Sequence, residues 1–185
     1  QDGSPRHGER VPVDFFIWDL RTVGGMERSL VLLAQHLSTI SDVRVFTARL
    51  SDRGRRALRE AGLFDATSNG RRALLWNWWR PSNRRAVVVG IWTLARLTAL
   101  GRRRPGTVHW EHSCTPERLA ADRRLRTLYL VAGSNFRHLP VIVPSAACRD
   151  GALQMGAQQA GLEVVPNPWP EPPRHHRVPR PHDGE

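Results

Sequence analysis

Between the apolar run Val13 to Leu20 and an amphipathic stretch stands Val23-Gly24-Gly25-Met26-Glu27-Arg28, a pattern suited to holding an anionic ligand. Two adjacent glycines let a chain turn without Cβ atoms and bring backbone N–H groups close to a bound group. A helix that follows points its positive dipole end at the same place. That helix is marked by Met26, Leu30, Leu33, Ala34 and Leu37, which recur on one face. The same glycines serve equally well as a plain strand-to-helix turn. A second group with chemical potential is Thr107-Val108-His109-Trp110-Glu111-His112-Ser113, where two histidines flank Trp110 at the end of a strand. Alternation sends His109 and His112 to opposite faces or places one in a loop, and no carboxylate or Cys cluster completes a metal site around them, so no metal is expected.

The elements needed to position these groups alternate regularly. Val11 to Leu20 reads as a strand covered on both faces, and Asp42 to Thr47 as a second. Ser51 caps a helix through Ala57, Leu58 and Ala61, with Gly62 where it stops. Ala86 to Gly90 is a buried strand, followed by a helix from Ile91 to Leu100 closed by Gly101, and then by the strand Thr107 to Glu111. A helix is predicted over Pro116 to Leu130, a strand over Pro140 to Pro144, a helix capped by Ser145 and ending near Gly156, and a short strand from Glu163 to Pro166. Strands alternating with helices of this length imply right-handed βαβ units. The expected fold is α/β, a single Rossmann-like doubly wound domain with a mostly parallel sheet, whose ligands bind at the carboxyl ends of the strands.

With 185 residues there is room for one domain with a substantial core. Residues 1–10 are expected to be flexible, 11–169 to form the domain, and the Pro-, Arg- and His-rich stretch 170–185 to be a disordered tail. The chain begins with Gln1 and not Met, which fits a fragment or a processed chain. Cys114 and Cys148 stand far apart without a CxxC partner, which suits a reducing cytoplasm and small apolar filler. No apolar run approaches the ~20 residues of a membrane-spanning helix, and the amino terminus lacks a signal-peptide layout. All 28 Lys+Arg residues are Arg. Between Asp52 and Arg104, 13 Arg face only Asp52, Glu60 and Asp65, so that stretch holds +10 of the net +11 and makes one region strongly positive.

Four segments in this order resemble the amino-terminal half of a GT-B fold glycosyltransferase, similar to glycosyltransferase family 4. They are GGMERSLVLLAQHL, TVHWEHS, VIVPSAACRDGALQMG and EVVPNPW. The resemblance spans Val11 to Trp169. It implies that Gly24 and Gly25, with Met26, approach the diphosphate of a nucleotide sugar and the acceptor, and that His112 meets the donor sugar. Glu111, Ser145 and Asn167 are further substrate-binding candidates by the same resemblance, and Asn167-Pro168 matches the step into a second domain. That second, donor-nucleotide domain, with its familiar pair of glutamates, has no counterpart after Trp169. The implied function is the acceptor-binding half of an enzyme moving a sugar, with retention of configuration, from a nucleotide-sugar donor to an acceptor hydroxyl. Implied partners are that donor, a glycan or lipid acceptor, and a partner chain supplying the missing domain. No cofactor or metal is implied. The chain alone is expected to be inactive or nearly so, because stabilising a departing diphosphate takes groups from both walls of a closed cleft.

Arg71-Arg72-Ala73-Leu74-Leu75-Trp76-Asn77-Trp78-Trp79-Arg80, followed by Arg84-Arg85, interleaves arginine with indoles. On a helix Leu75, Trp76 and Trp79 share a side while Trp78 points elsewhere, so the three indoles cannot all be buried together. Arginines around interfacial tryptophans suit an anionic membrane surface or a negatively charged acceptor. The location expected on this reading is cytoplasmic, peripheral on the inner face of the plasma membrane. The alternative makes Trp76 and Trp79 core and the arginines a solvated face. Arginine with aromatics also suits nucleic acid, but no nucleic-acid-binding motif accompanies it. NAD binding is argued against by an incomplete GxGxxG and by Phe46-Thr47-Ala48 where an acid should end the second strand. A degenerate transferase half serving as a partner protein is the remaining alternative.

Overall fold

The computed structural model describes residues 11–22, 24–99 and 104–167. The segments 1–10 and 168–185 lie outside the described residues, and so do Val23, Leu100, Gly101 and the Pro168–Trp169 step. Seven strands form one sheet, β1 (Val13–Leu20), β2 (Val43–Leu50), β3 (Thr67–Asn69), β4 (Arg85–Val89), β5 (Thr107–Trp110), β6 (Val141–Val143) and β7 (Leu162–Val164). Their order is β3-β2-β1-β4-β5-β6-β7 and every pairing is parallel. The helices are α1 (Gly25–Ser38), α2 (Asp52–Glu60), α3 (Arg71–Trp79), α4 (Ile91–Thr98), α5 (Pro116–Ala121), α6 (Arg123–His138) and α7 (Ala146–Gln154). This is the Rossmann-like, doubly wound α/β domain expected, and it is wholly parallel.

Two apolar layers sandwich the sheet. On one side Leu30 and Ala34 of α1 and Leu58 of α2 pack on Phe15, Ile17, Val45, Val89 and Trp110. On the other, α3, α4, α6 and α7 bury Leu74, Trp78, Leu94, Tyr129 and Cys148 against Phe16, Phe46 and Val88. Winding runs outward from β1 to β3, then α3 carries the chain back across β1 to start β4, so the direction reverses between β1 and β4.

One expectation is corrected, one element was not anticipated and one alternative is excluded. The stretch Pro116 to Leu130 is two helices, because Asp122 is extended (φ −111°, ψ 95°) and its side chain accepts from Leu125 N–H at 3.0 Å. An Asp that bonds the next turn's backbone starts a new helix there. The three-residue β3 is too short and too polar to stand out in the sequence, and exists by pairing with β2. Trp76 and Trp79 are not core: they are 69% and 51% exposed, whereas Trp78 is 2% exposed and meets Phe16 edge-on at 5.3 Å. Leu74 and Trp78, four residues apart, form the inward face of α3.

The amino ends of the strands are drawn together by one carboxylate. Asp14, fully buried in β1, accepts from Arg44 Nε and Nη2 (2.9 Å each), Arg84 Nε (2.5 Å) and Arg104 Nη2 (2.6 Å). Arg84 also pairs with Asp42 and donates to the Asp42 carbonyl at 2.7 Å. Burial alone would raise the Asp14 carboxyl, but the three guanidinium hydrogen bonds outweigh it and hold the group below its ordinary value. Arg84 therefore belongs to this internal network and not to a surface for anionic partners. Asp14→Asn is expected to cost about 3–5 kcal/mol in urea unfolding, because it leaves buried guanidiniums uncompensated. Asp42→Asn, at an exposed carboxylate, should cost about 1 kcal/mol or less. The Asp14 contribution is complete above the ordinary carboxyl value of 3.8 and is lost as pH falls through the lower folded value.

Candidate functional site

In a doubly wound sheet the crevice opens where strand order reverses, outside the carboxyl ends. Here that place lies between β1 and β4. From β1 the chain passes to Gly24, the extended N-cap of α1 (φ −84°, ψ −165°), whose N–H donates to Glu27 Oε2 at 3.0 Å. The next N–H groups of α1 lack intrahelical partners by the geometry of a helix start and face the rim. A Cβ added at Gly25 meets nothing within 4 Å, and Gly25 has no positive φ. The chain itself therefore does not need glycine there, and the space beside it is open. After β4 comes Gly90 (φ 77°), where a Cβ would come within 3.3 Å of Met26 Sδ. Met26 thus spans from α1 to the end of β4.

One strand further, Gly90 N–H donates to the Trp110 carbonyl at 2.9 Å, which links the turn after β4 to the end of β5. Glu111 follows, fully buried. Its Oε1 accepts from His112 N–H (2.9 Å) and Ser113 N–H (2.7 Å), and its Oε2 lies 3.0 Å from His109 Nε2. Burial would raise this carboxyl; the His109 hydrogen bond and charge, with the two backbone donors, bring it below the ordinary range. His109 Nδ1 faces the Val88 carbonyl at 3.1 Å, so both ring nitrogens lie beside acceptors. Through these contacts Glu111 ties the turn after β5, which carries His112, in place. Beneath it, burial and the Glu111 charge push the Tyr129 phenol and the Cys114 thiol upward, which keeps both protonated.

His112 sits half-buried at the rim, its ring 4.7 Å from that of Trp110. Its Nε2 is buried and has no hydrogen-bond partner among the described residues. Burial, reinforced by the His109 charge and opposed by Glu111, lowers its pKa to about 4. A neutral imidazole with a free nitrogen can donate to or accept from a sugar hydroxyl. The structure thus brings Gly24, Gly25, Met26 and His112 to one rim, with β4 between the two strand ends that carry them.

Other candidates are dispersed. Ser145, after β6, has its hydroxyl engaged in capping α7, accepting from Cys148 N–H at 3.2 Å. Asn167 follows the edge strand β7, with Oδ1 buried and unpartnered among the described residues. The arginine and tryptophan segment is divided: Trp78 is core, Arg84 joins Asp14, and Arg85 lies at the amino end of β4, the rim opposite His112. Arg71, Arg72, Trp76, Trp79 and Arg80 remain exposed along α3. Among the described residues no group of His, Cys, Asp and Glu could hold a metal ion, and no helix is long and apolar enough to cross a membrane. Sequence reasoning missed Asp14; an acid inside an apolar strand of an Arg-rich chain was its available signal.

No family model and no curated protein matches the sequence. Among solved structures, the fold is similar to that of HepE from Anabaena in complex with UDP, at TM-score 0.60 and 15% identity over 86% of this chain and 44% of that one. It is likewise similar to HepE in complex with UDP and glucose, at TM-score 0.64 and 17% identity over 86% of this chain and 45% of that one. The chain has the fold of a little under half of HepE. At this identity the likeness to HepE carries the architecture, and site residues rest on the geometry above.

The depressed His112 value has a measurable consequence. Between the ordinary 6.5 and the folded value of about 4, the unfolded chain binds a proton that the folded chain does not, so this group lowers stability as pH falls through that window. His112→Gln should remove up to about 3 kcal/mol of the stability difference between pH 7 and pH 4 in urea titrations. An unchanged pH slope in the variant contradicts the burial-driven shift.

Proposed function

We propose that this chain is the acceptor-binding half of a glycosyltransferase that moves a sugar from a nucleotide-sugar donor to an acceptor hydroxyl, as in family 4 of the GT-B fold. The observation that carries the reading is the open space at Gly25 on the same rim as a neutral His112, at the point where the winding reverses. HepE, with this fold, holds UDP and glucose, which supports a nucleotide-sugar donor. The donor N–H groups and dipole of α1 would face the departing diphosphate, and His112 Nε2 would meet a sugar hydroxyl. The chain spans under half the length of HepE, which supports a second wall supplied by another domain or chain.

The test is release of UDP from UDP-glucose, with acceptor glycans, by this chain alone and by the chain combined with a second α/β domain. Turnover is expected only in combination. Gly25→Ala should lower it about tenfold or more by occupying the approach path, while leaving the melting temperature nearly unchanged because Ala suits a helix start. Turnover indifferent to both Gly25→Ala and His112→Ala, or preferential binding of NAD or single-stranded DNA, overturns the reading.

We further infer docking of the outer face of α3 on an anionic membrane, from the cytoplasmic side. The supporting observation is that Trp76 and Trp79 are exposed beside Arg72 and line a surface depression with Ala73 and Leu75. Anionic lipid attracts each nearby Arg by about 1 kcal/mol, and indoles anchor at the interface. Co-sedimentation with phosphatidylglycerol vesicles should exceed that with phosphatidylcholine and fall in Trp76→Ala/Trp79→Ala. Equal, negligible binding to both vesicles ends the idea.

A further inference from the structure

Beside the switch point, on the sheet face opposite α1, guanidiniums converge on one indole. Arg96 Cζ lies 4.5 Å from the centre of the Trp18 ring, Arg71 Cζ 5.9 Å from it, and Arg96 also 5.3 Å from the Trp92 ring. Trp18 stands near the carboxyl end of β1, Arg71 opens α3 and Arg96 lies on α4. Trp18 N–H donates to Thr93 Oγ1 at 2.9 Å, which fixes α4 against β1. Arg49, near the end of β2, lies close enough to Arg96 to repel its charge, and its Nη1 is 3.8 Å from Asp19 Oδ2.

The charges do not balance. Asp19 is the acid that faces this group, and it is engaged by Arg21 in a fork of 2.7–3.0 Å contacts. Arg71 and Arg96 have no ion pair with an acid among the described residues. Burial, with repulsion from Arg49 and Arg71, lowers the proton affinity of Arg96. Like charges held together around an aromatic ring are relieved by an anion placed among them.

We propose that Arg71 and Arg96 around Trp18, with Arg49 beside Arg96, form a subsite for a phosphate group carried by the acceptor. A carboxylate offers two oxygens, which a single guanidinium fork satisfies, as Arg21 does with Asp19. A phosphate offers three terminal oxygens and close to two negative charges, matching three guanidiniums arriving from three separate elements. The subsite opens on the strand-end rim that holds Gly25 and His112, so an acceptor anchored there by phosphate could present its hydroxyl to the crevice. The assignment deepens the glycosyltransferase reading and rests on it.

Calorimetric titration at low ionic strength tests the subsite with inorganic phosphate, farnesyl phosphate and glucuronate as probes. Both phosphates should bind more tightly than glucuronate. Arg96→Gln and Arg71→Gln should each weaken phosphate about tenfold or more, while Arg59→Gln, on α2, changes nothing. Thermal melts confirm that each variant folds. Farnesyl phosphate binding tighter than inorganic phosphate assigns the anion to a lipid carrier, and equal affinities assign it to a free phosphate; either outcome supports the subsite. Glucuronate binding as tightly as phosphate, or Arg59→Gln losing as much as Arg96→Gln, overturns it. Phosphate binding that depends on these arginines, with no sugar transfer by the chain combined with a second α/β domain, would sink the transferase reading and leave the anion site standing. Sugar transfer with no such dependence would do the reverse.

Discussion

Parallel pairing of all seven strands is the constraint from which the remaining architecture follows. Each strand must be re-entered from the same end, so every connection crosses a face of the sheet, and the strand carboxyl ends gather on one rim. Because α3 returns the chain from β3 past β1 to β4, the loops after β1 and β4 diverge to opposite faces. Between them backbone and side-chain groups stay open to a ligand. Gly25, Gly90 and Met26 occupy that gap, and the hydrogen bond from Gly90 to Trp110 extends it to the turn that carries His112.

The two rims of the sheet handle charge in opposite ways. At the amino ends Asp14 gathers Arg44, Arg84 and Arg104, so that part of the arginine excess is spent inside the molecule, fastening β2, β4 and the approach to β5 onto β1. At the carboxyl ends a second buried carboxylate, Glu111, holds His109 and two backbone N–H groups, while burial keeps His112 neutral. Near Trp18 the balance fails, with Arg71 and Arg96 facing each other's charge across the indole. An internally satisfied network serves stability. An unsatisfied one would be relieved by an anion placed among the guanidiniums.

Much of the fold was legible because its signals are local. The i, i+4, i+7 spacing of α1, the Ser51 and Ser145 caps and the apolar runs of β1, β4 and β6 depend on neighbours within a turn or a strand. The glycine pair was legible for the same reason. What escaped was decided by partners far along the chain. Three-residue β3 exists through β2, the break at Asp122 depends on one side chain choosing its backbone partner, and Asp14 meets Arg104 ninety positions later. Alternation could show that Trp76, Trp78 and Trp79 do not share a face. It could not show which face the sheet would take, since that depends on Phe16 and Phe46 lying beneath Trp78.

By itself, then, the sequence determined a wound α/β domain, most of its element order and the glycine loop at the end of β1, because periodicity, caps and turn chemistry act over a few residues. Only the tertiary structure decided which arginines are structural and which remain uncompensated, that Glu111 fastens the turn carrying His112, and that the glycine loop and His112 share a rim. Charge compensation and burial are properties of groups brought together across the whole chain, and no local spacing encodes them.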